Sequence, residues 1–167
     1  MKNAVEVVNR TRVAVDGAAV AALLEIVLAA EGAAGSEVGV TFVGERRMRA
    51  LNREHRGQDA ATDVLAFPLE DADELAGPLD RRDDDARTAA ASGPPRLLGD
   101  VVICACQTLR QARAAGLPPA VELAVLLVHG TLHLLGYDHE TDAGRMALRQ
   151  AELLETVRWE RLLVTTR

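Results

Sequence analysis

The feature that most narrows what this chain can become is the stretch His129-Gly-Thr-Leu-His133-Leu-Leu-Gly136-Tyr137-Asp138-His139, which closes an apolar run and opens into a polar turn. Three of the chain's four histidines stand in it. Leu123, Leu126, Leu127, Gly130 and Leu134 recur at three- and four-residue spacing, with Pro118 and Pro119 just ahead, so Glu122 to Leu135 is predicted as a helix. His129 and His133 then share a face. Side chains four apart on a helix have Cβ atoms roughly 5 to 6 Å apart, and two imidazoles bridge that gap with one metal about 2.0 to 2.1 Å from each nitrogen. Gly136 is expected to end the helix in the left-handed conformation, which costs glycine nothing and lets the chain carry His139 back beneath the first two histidines. Three protein ligands leave a fourth position for water, the catalytic rather than the structural form of zinc coordination.

A histidine on an apolar face is ordinarily a hydrogen-bonded core residue. Three at ligand spacing, in a chain with one other histidine, read instead as a metal set. The spacing equals that of the metzincin peptidases, H-E-x-x-H-x-x-G-x-x-H. Gly130 stands where those peptidases carry their glutamate base, so amide hydrolysis by that route lacks its proton acceptor.

The rest of the chain supplies a scaffold. At 167 residues and 49% hydrophobic content it reads as one domain over 1–167, long enough to bury a sizeable core. No apolar run approaches the roughly 18 residues of a membrane span, and MKNAVEVVNRTRVAVDG lacks the apolar centre of a signal peptide, so a soluble cytoplasmic protein is expected. Cys104 and Cys106, in the apolar run VVICAC, are read as alternate positions on one face of a strand, buried as small hydrophobes. The net charge of −6 is unfavourable for a nucleic-acid partner, so any such binding rests on local basic surface.

In chain order, Ala4 to Val8 is predicted as a strand and Asp16 as the N-cap of an alanine-rich helix reaching about Ala30. Glu37 to Val43 alternates and is β-branched, a second strand. Glu45 to His55 is predicted helical, with Met48, Leu51 and Asn52 turned inward and Arg46, Arg47, Arg49 and Arg53 outward. A turn at Arg56-Gly57-Gln58-Asp59 leads to an edge strand, Thr62 to Pro68, closed by its proline. Thr62 and Asp63 either bond nearby backbone or touch a substrate. Residues 72–96, ADELAGPLDRRDDDARTAAASGPPR, cannot build core and are read as an exposed insertion. Leu97 to Ala105 is a buried strand interrupted at Gly99-Asp100, Gln107 to Ala115 a helix ended by Gly116, and Asp142 the cap of a last helix running to near Trp159. The order predicts an α+β fold, a small mixed sheet of about four strands packed against several helices.

HGTLHLLGYDH, read with LNREHRGQDAATDVLAFP and LGDVVICACQTLRQA upstream, resembles the YbeY family of bacterial endoribonucleases that mature ribosomal RNA. The likeness runs in the family's order from about Val38 to Glu155, and the 72–96 insertion departs from it. It implies one zinc ion per chain, held by His129, His133 and His139, and a single-strand-specific cleavage acting in 16S rRNA 3′ end maturation and ribosome quality control. The partners implied are ribosomal RNA and the small ribosomal subunit, with no membrane; nothing in the sequence specifies an oligomeric state. Arg56 falls on the arginine of the family's LN-x-x-[YH]-R-G-x-D pattern, a residue that family needs for activity. Taken alone, an arginine at a turn is usually a solvated charge.

The chemistry agrees with these roles. Three neutral imidazoles leave zinc its full charge and bring a bound water's pKa to about 7. Phosphodiester cleavage builds charge on nonbridging oxygens, which an arginine fork matches, so Arg56 and His129 are the catalytic candidates. Arg46, Arg49, Arg53 and His55 are candidates for contacting substrate, and Asp138 for hydrogen-bonding a ligating imidazole or forming the turn. Tyr137 is read as a core aromatic. By affinity alone the site suits zinc, nickel or copper. Two other readings remain open: a zinc metallopeptidase-like hydrolase, and a non-catalytic ribosome-assembly factor with a structural metal.

Overall fold

Alternating β-branched residues build the centre of the molecule. In a computed structural model that describes residues 4–33, 35–69, 96–162 and 164–166, β1 (Ala4–Asn9), β3 (Ser36–Val43) and β5 (Arg96–Cys104) run parallel. β4 (Val64–Pro68) joins β5 antiparallel, giving the sheet order β1-β3-β5-β4 with β4 at an edge. A short β2 (Val13–Val15) pairs with β6 (Val164–Thr166) in a separate antiparallel ribbon. Five α-helices are described: α1 (Gly17–Ala30), α2 (Glu45–Arg56), α3 (Ala105–Ala115), α4 (Pro119–Leu134) and α5 (Arg145–Thr156), the last followed by a 3₁₀ turn at Trp159–Arg161. This is the expected α+β arrangement.

The strand period divides the core between the two faces of the sheet. Val101 and Ile103 of β5, with Val38, Val40 and Phe42 of β3, meet Val20, Leu24 and Leu28 of α1 and Leu123, Leu127 and Leu134 of α4. Val102 and Cys104 point the other way, to a smaller cluster with Val43, Leu65 and Met48 of α2. Leu123, Leu127, Leu132 and Leu134 are each at most 1% exposed, and burying one such side chain is worth about 1.5 to 3 kcal/mol. That exceeds the helix propensity differences among residues other than proline, so the core fixes the position of α4.

Most predicted boundaries fall where expected. Asp16 caps α1, its carboxylate accepting the Ala19 N–H at 3.0 Å. Pro119 opens α4. Asp142 does its capping from two residues ahead of the formal cap: Oδ2 accepts the Met146 N–H at 2.7 Å and Oδ1 the Gly144 N–H at 2.9 Å. β4 starts two residues later than Thr62, because the Asp63 carboxylate bonds locally to the Val64 N–H and the Thr62 hydroxyl. The Asp63 carboxylate also accepts from Gln111 Nε2 at 3.0 Å, so it is bonded within the fold as well as within the turn.

The strand expected through VVICAC stops at Cys104. There the helix α3 begins, and the Thr108 hydroxyl donates to the Cys104 carbonyl, so the next residues wind rather than extend. The two thiols consequently do not share a face: Cys104 is buried and Cys106 exposed. The insertion expected over 72–96 lies outside the described residues except for Arg96, which opens β5. No described helix is long and apolar enough to cross a membrane.

Candidate metal centre

Gly130 sets the distance between α4 and the sheet. A Cβ built on it would lie 2.7 Å from Val101 Cγ1 and 3.3 Å from Val64 Cγ2, so the helix backbone rests directly on β5 and β4. Any side chain there would have to push Val101 aside, and a glutamate far more so than an alanine. With Gly130 turned to the sheet, His129 and His133 stand half-buried along the flank of the helix.

The helix ends as its sequence demands. Gly136 has φ +87°, its N–H donates to the His133 carbonyl at 3.1 Å, and the Tyr137 N–H reaches back to the Leu132 carbonyl at 3.0 Å. This pair of bonds is the Schellman closure. Asp138 then tightens the polar turn, its carboxylate accepting the Glu140 N–H and the Thr141 hydroxyl, each at 3.0 Å. The turn delivers His139 to the other two histidines. Ring centroids lie 4.7 Å apart for His129 and His133, 5.1 Å for His133 and His139 and 5.5 Å for His129 and His139. One nitrogen from each ring falls within 4.8 Å of the others, the one such group of three among the described residues.

Hydrogen bonds on the far side of two rings orient them. His133 Nδ1 lies 3.0 Å from the Tyr137 carbonyl, which can only accept, so Nδ1 carries the proton and Nε2 the free lone pair. His129 Nδ1 lies 3.0 Å from the amide oxygen Oε1 of Gln150, with the same consequence. The two Nε2 atoms then face one another at 3.1 Å. Opposed lone pairs at that distance repel unless a cation lies between them, and a tetrahedral zinc with bonds of about 2.0 to 2.1 Å would separate them by about 3.3 Å. The residues fit the ion. Burial, and the neighbouring His129 and His139, hold the His133 pKa below the ordinary imidazole range, which keeps it in the neutral, ligating form. His139, exposed, leaves the third side of the cluster facing solvent.

Other predicted residues fall elsewhere. Asp138 Oδ1 is 3.9 Å from His139 Nδ1, beyond hydrogen-bond reach, and its carboxylate is committed to the turn. Tyr137 is buried, its hydroxyl donating to Glu31 Oε2 at 2.9 Å, so it is a core aromatic whose carbonyl serves the site. His55 stays outside the cluster and packs edge-on against Phe67 of β4, centroids 4.8 Å apart. Arg56 is the last residue of α2; its side chain is exposed and makes no ion pair or hydrogen bond among the described residues. Along the same helix Arg49 is gripped by Asp59, Nε to Oδ1 at 2.8 Å and a terminal nitrogen to Oδ2 at 2.6 Å, with Arg53 3.9 Å from the same carboxylate. A cleft follows this face, lined by Glu45, Arg46, Arg47, Arg49, Arg53 and Asp59.

Sequence reasoning missed Gln150 and the group that seats it. Arg149, its neighbour on α5, donates to Glu31 Oε1 at 2.6 Å, and Glu31 also accepts the Tyr137 hydroxyl. The Glu31 side chain is 2% exposed. The only local signal for Gln150 is that it lies one helix beyond the third histidine.

A family model described as Endoribonuclease YbeY matches residues 6–158. A protein of that name from Anaeromyxobacter sp. is 49% identical over 128 residues, 75% of this chain and 57% of its own length. One from Moorella thermoacetica is 46% identical over 138 residues, 81% of this chain and 82% of its own. A solution structure from Thermotoga maritima superposes with a TM-score of 0.58 at 26% identity, over 90% of this chain and 87% of that one.

Proposed function

The chain belongs to the YbeY family, and from that premise we propose that it is a zinc-dependent endoribonuclease specific for single-stranded RNA, acting in the cytoplasm on ribosomal RNA of the small subunit, in 16S rRNA 3′ end maturation and ribosome quality control. The observation that carries the reading is the convergence of three imidazoles, two of them locked with Nε2 free and 3.1 Å apart, in a chain whose relatives bear the name endoribonuclease.

His129, His133 and His139 would hold the ion, which supplies Lewis acidity and brings water activation into the neutral pH range. The chain's own residues do the rest. Arg56, exposed and without a partner among the described residues, offers a planar fork of donors to the nonbridging oxygens on which charge builds. Arg46, Arg47 and Arg53 line the cleft along α2 and attract the phosphate backbone. Arg49, neutralised by Asp59, contributes less than its charge suggests. His55, on the same helix, is exposed and packs against Phe67 outside the lining of that cleft, where its ring could stack with an unpaired base. A peptidase reading lacks support, because the position that would carry its glutamate base is closed by Val101 and Val64.

The test is metal content of protein purified without added metal, with cleavage of a single-stranded RNA by wild type and Arg56→Ala. Stoichiometric zinc and cleavage lost in the variant are expected. Zinc without wild-type cleavage under any metal would favour an assembly factor with a structural ion, and peptide hydrolysis without RNA cleavage a peptidase.

A further inference from the structure

The hydrogen bonds behind the histidines point to a residue outside the ligand set. We propose that Gln150 is a positioning residue for metal capture: its amide oxygen fixes the orientation and tautomer of His129, so that Nε2 meets the ion. The inference rests on the metal-centre reading above and extends it to a helix that contributes no ligand.

The two histidines of α4 are oriented by different kinds of partner. His133 is oriented by a backbone carbonyl, that of Tyr137, which the Schellman closure places and which no substitution can remove. Among the described residues His129 has no backbone acceptor at Nδ1; its contact there is Gln150 Oε1 at 3.0 Å, from α5, 21 residues on. An amide can present either an acceptor or a donor. Presenting the donor would force the proton to His129 Nε2 and remove a ligand, so the held orientation of this side chain matters.

The helix that carries Gln150 is firmly seated. Arg149 donates through Nε to Glu31 Oε1 at 2.6 Å and through a terminal nitrogen to the Ala30 carbonyl at 3.3 Å, seating α5 on the end of α1. Glu31, through its other oxygen, accepts the hydroxyl of Tyr137, the residue whose carbonyl orients His133. One buried carboxylate thus anchors both arms that aim the α4 imidazoles.

The test compares Gln150→Leu, which keeps the bulk and removes the acceptor, with Gln150→Glu, which can only accept. Each full-length protein is stripped with a chelator and titrated with zinc against a chromophoric competitor, and the melting temperature of the metal-free form is recorded. Zinc affinity is expected to fall about 10- to 100-fold in the leucine variant, the usual cost of losing such a partner. In the glutamate variant it should stay within about threefold of wild type or rise, since carboxylate–histidine–zinc arrangements raise ligand basicity. Equal melting of all three metal-free proteins separates this role from a merely structural one. If the leucine variant melts lower, Gln150→Ser, which keeps a short polar group at this half-buried position, replaces it and should show the same loss. Unchanged affinity in the leucine variant, or an equal loss in the glutamate variant, would overturn the proposal. Wild type that takes up no zinc would instead remove the metal-centre reading on which it rests.

Discussion

The two ends of the proposed machinery are held by different physics. Around α4 each position follows from burial and backbone bonding: Gly130 lies against Val101, the helix closes at Gly136, and His133 is aimed by a main-chain carbonyl. Along α2 the chemistry-bearing side chains are exposed, and what distinguishes one arginine from the next is pairing. Arg49 is bound twice to Asp59, Arg53 touches the same carboxylate at longer range, and Arg56 has no partner among the described residues. The metal end is rigid because moving it would unpack the core; the substrate end is adjustable because its ion pairs lie in water, where each is worth little. A substitution at the first should therefore act through geometry, and one at the second through charge.

The sharpest break comes from His133→Ala. Structural zinc sites bind with about 10 to 16 kcal/mol, and removing one of three ligands forfeits a sizeable share, so affinity should fall on the order of 10³-fold or more and cleavage with it. The metal-free protein should keep its helical circular dichroism, because the imidazole is only half-buried. Loss of the fold without metal would instead make the ion structural. Next in size, Arg56→Ala should lower kcat for single-stranded RNA by about 10²- to 10³-fold, the cost of one transition-state donor, and leave the zinc titration unchanged. A matching fall in zinc affinity would mean that the two ends are not separable.

The same division explains what was legible in the sequence. The helix of the histidines announced itself because its apolar positions recur at the helical period, and Gly136 because a left-handed residue after such a run is almost always glycine. The return of His139 followed from both. A strand pattern misplaces Cys106, because VVICAC satisfies it by composition, while the helix that overrides it depends on the residues after it and on the bond from Thr108 to the Cys104 carbonyl. Gln150 and Glu31 left no trace, since a contact 21 or 106 residues apart carries no period. Nor did the sequence distinguish Arg49 from Arg53 or Arg56: a partner across a turn, ten residues on, is set by how the loop folds.

Gly130 tests the geometric end at lower amplitude. In Gly130→Ala the added carbon meets a branched core side chain at 2.7 Å, and overpacking of this kind costs about 1 to 3 kcal/mol. A denaturant titration should show a lower midpoint with an unchanged slope, and zinc affinity should decline as α4 is pushed from β5. An unaffected midpoint would mean that Val101 rotates out of the way and that the close approach of helix and sheet is incidental.

The smallest effect expected belongs to the charged end, and its sign is the informative part. Asp59→Asn deletes the acid that occupies Arg49 and draws on Arg53, so a cationic surface gains one net positive charge in the cleft along α2. If that cleft carries the phosphate backbone, RNA should bind a few-fold more tightly, and the dependence of log K on log salt should steepen by about 0.7, the single-strand increment for one further phosphate contact. Fluorescence anisotropy with a short single-stranded RNA across a salt series reads both quantities. The folding midpoint should scarcely move, since Arg49 and Asp59 are both solvent-exposed. Weaker RNA binding would reverse the assignment: the Asp59 carboxylate would then be needed to hold Arg49 in place, and the α2 face would owe its function to a fixed side chain, as α4 does.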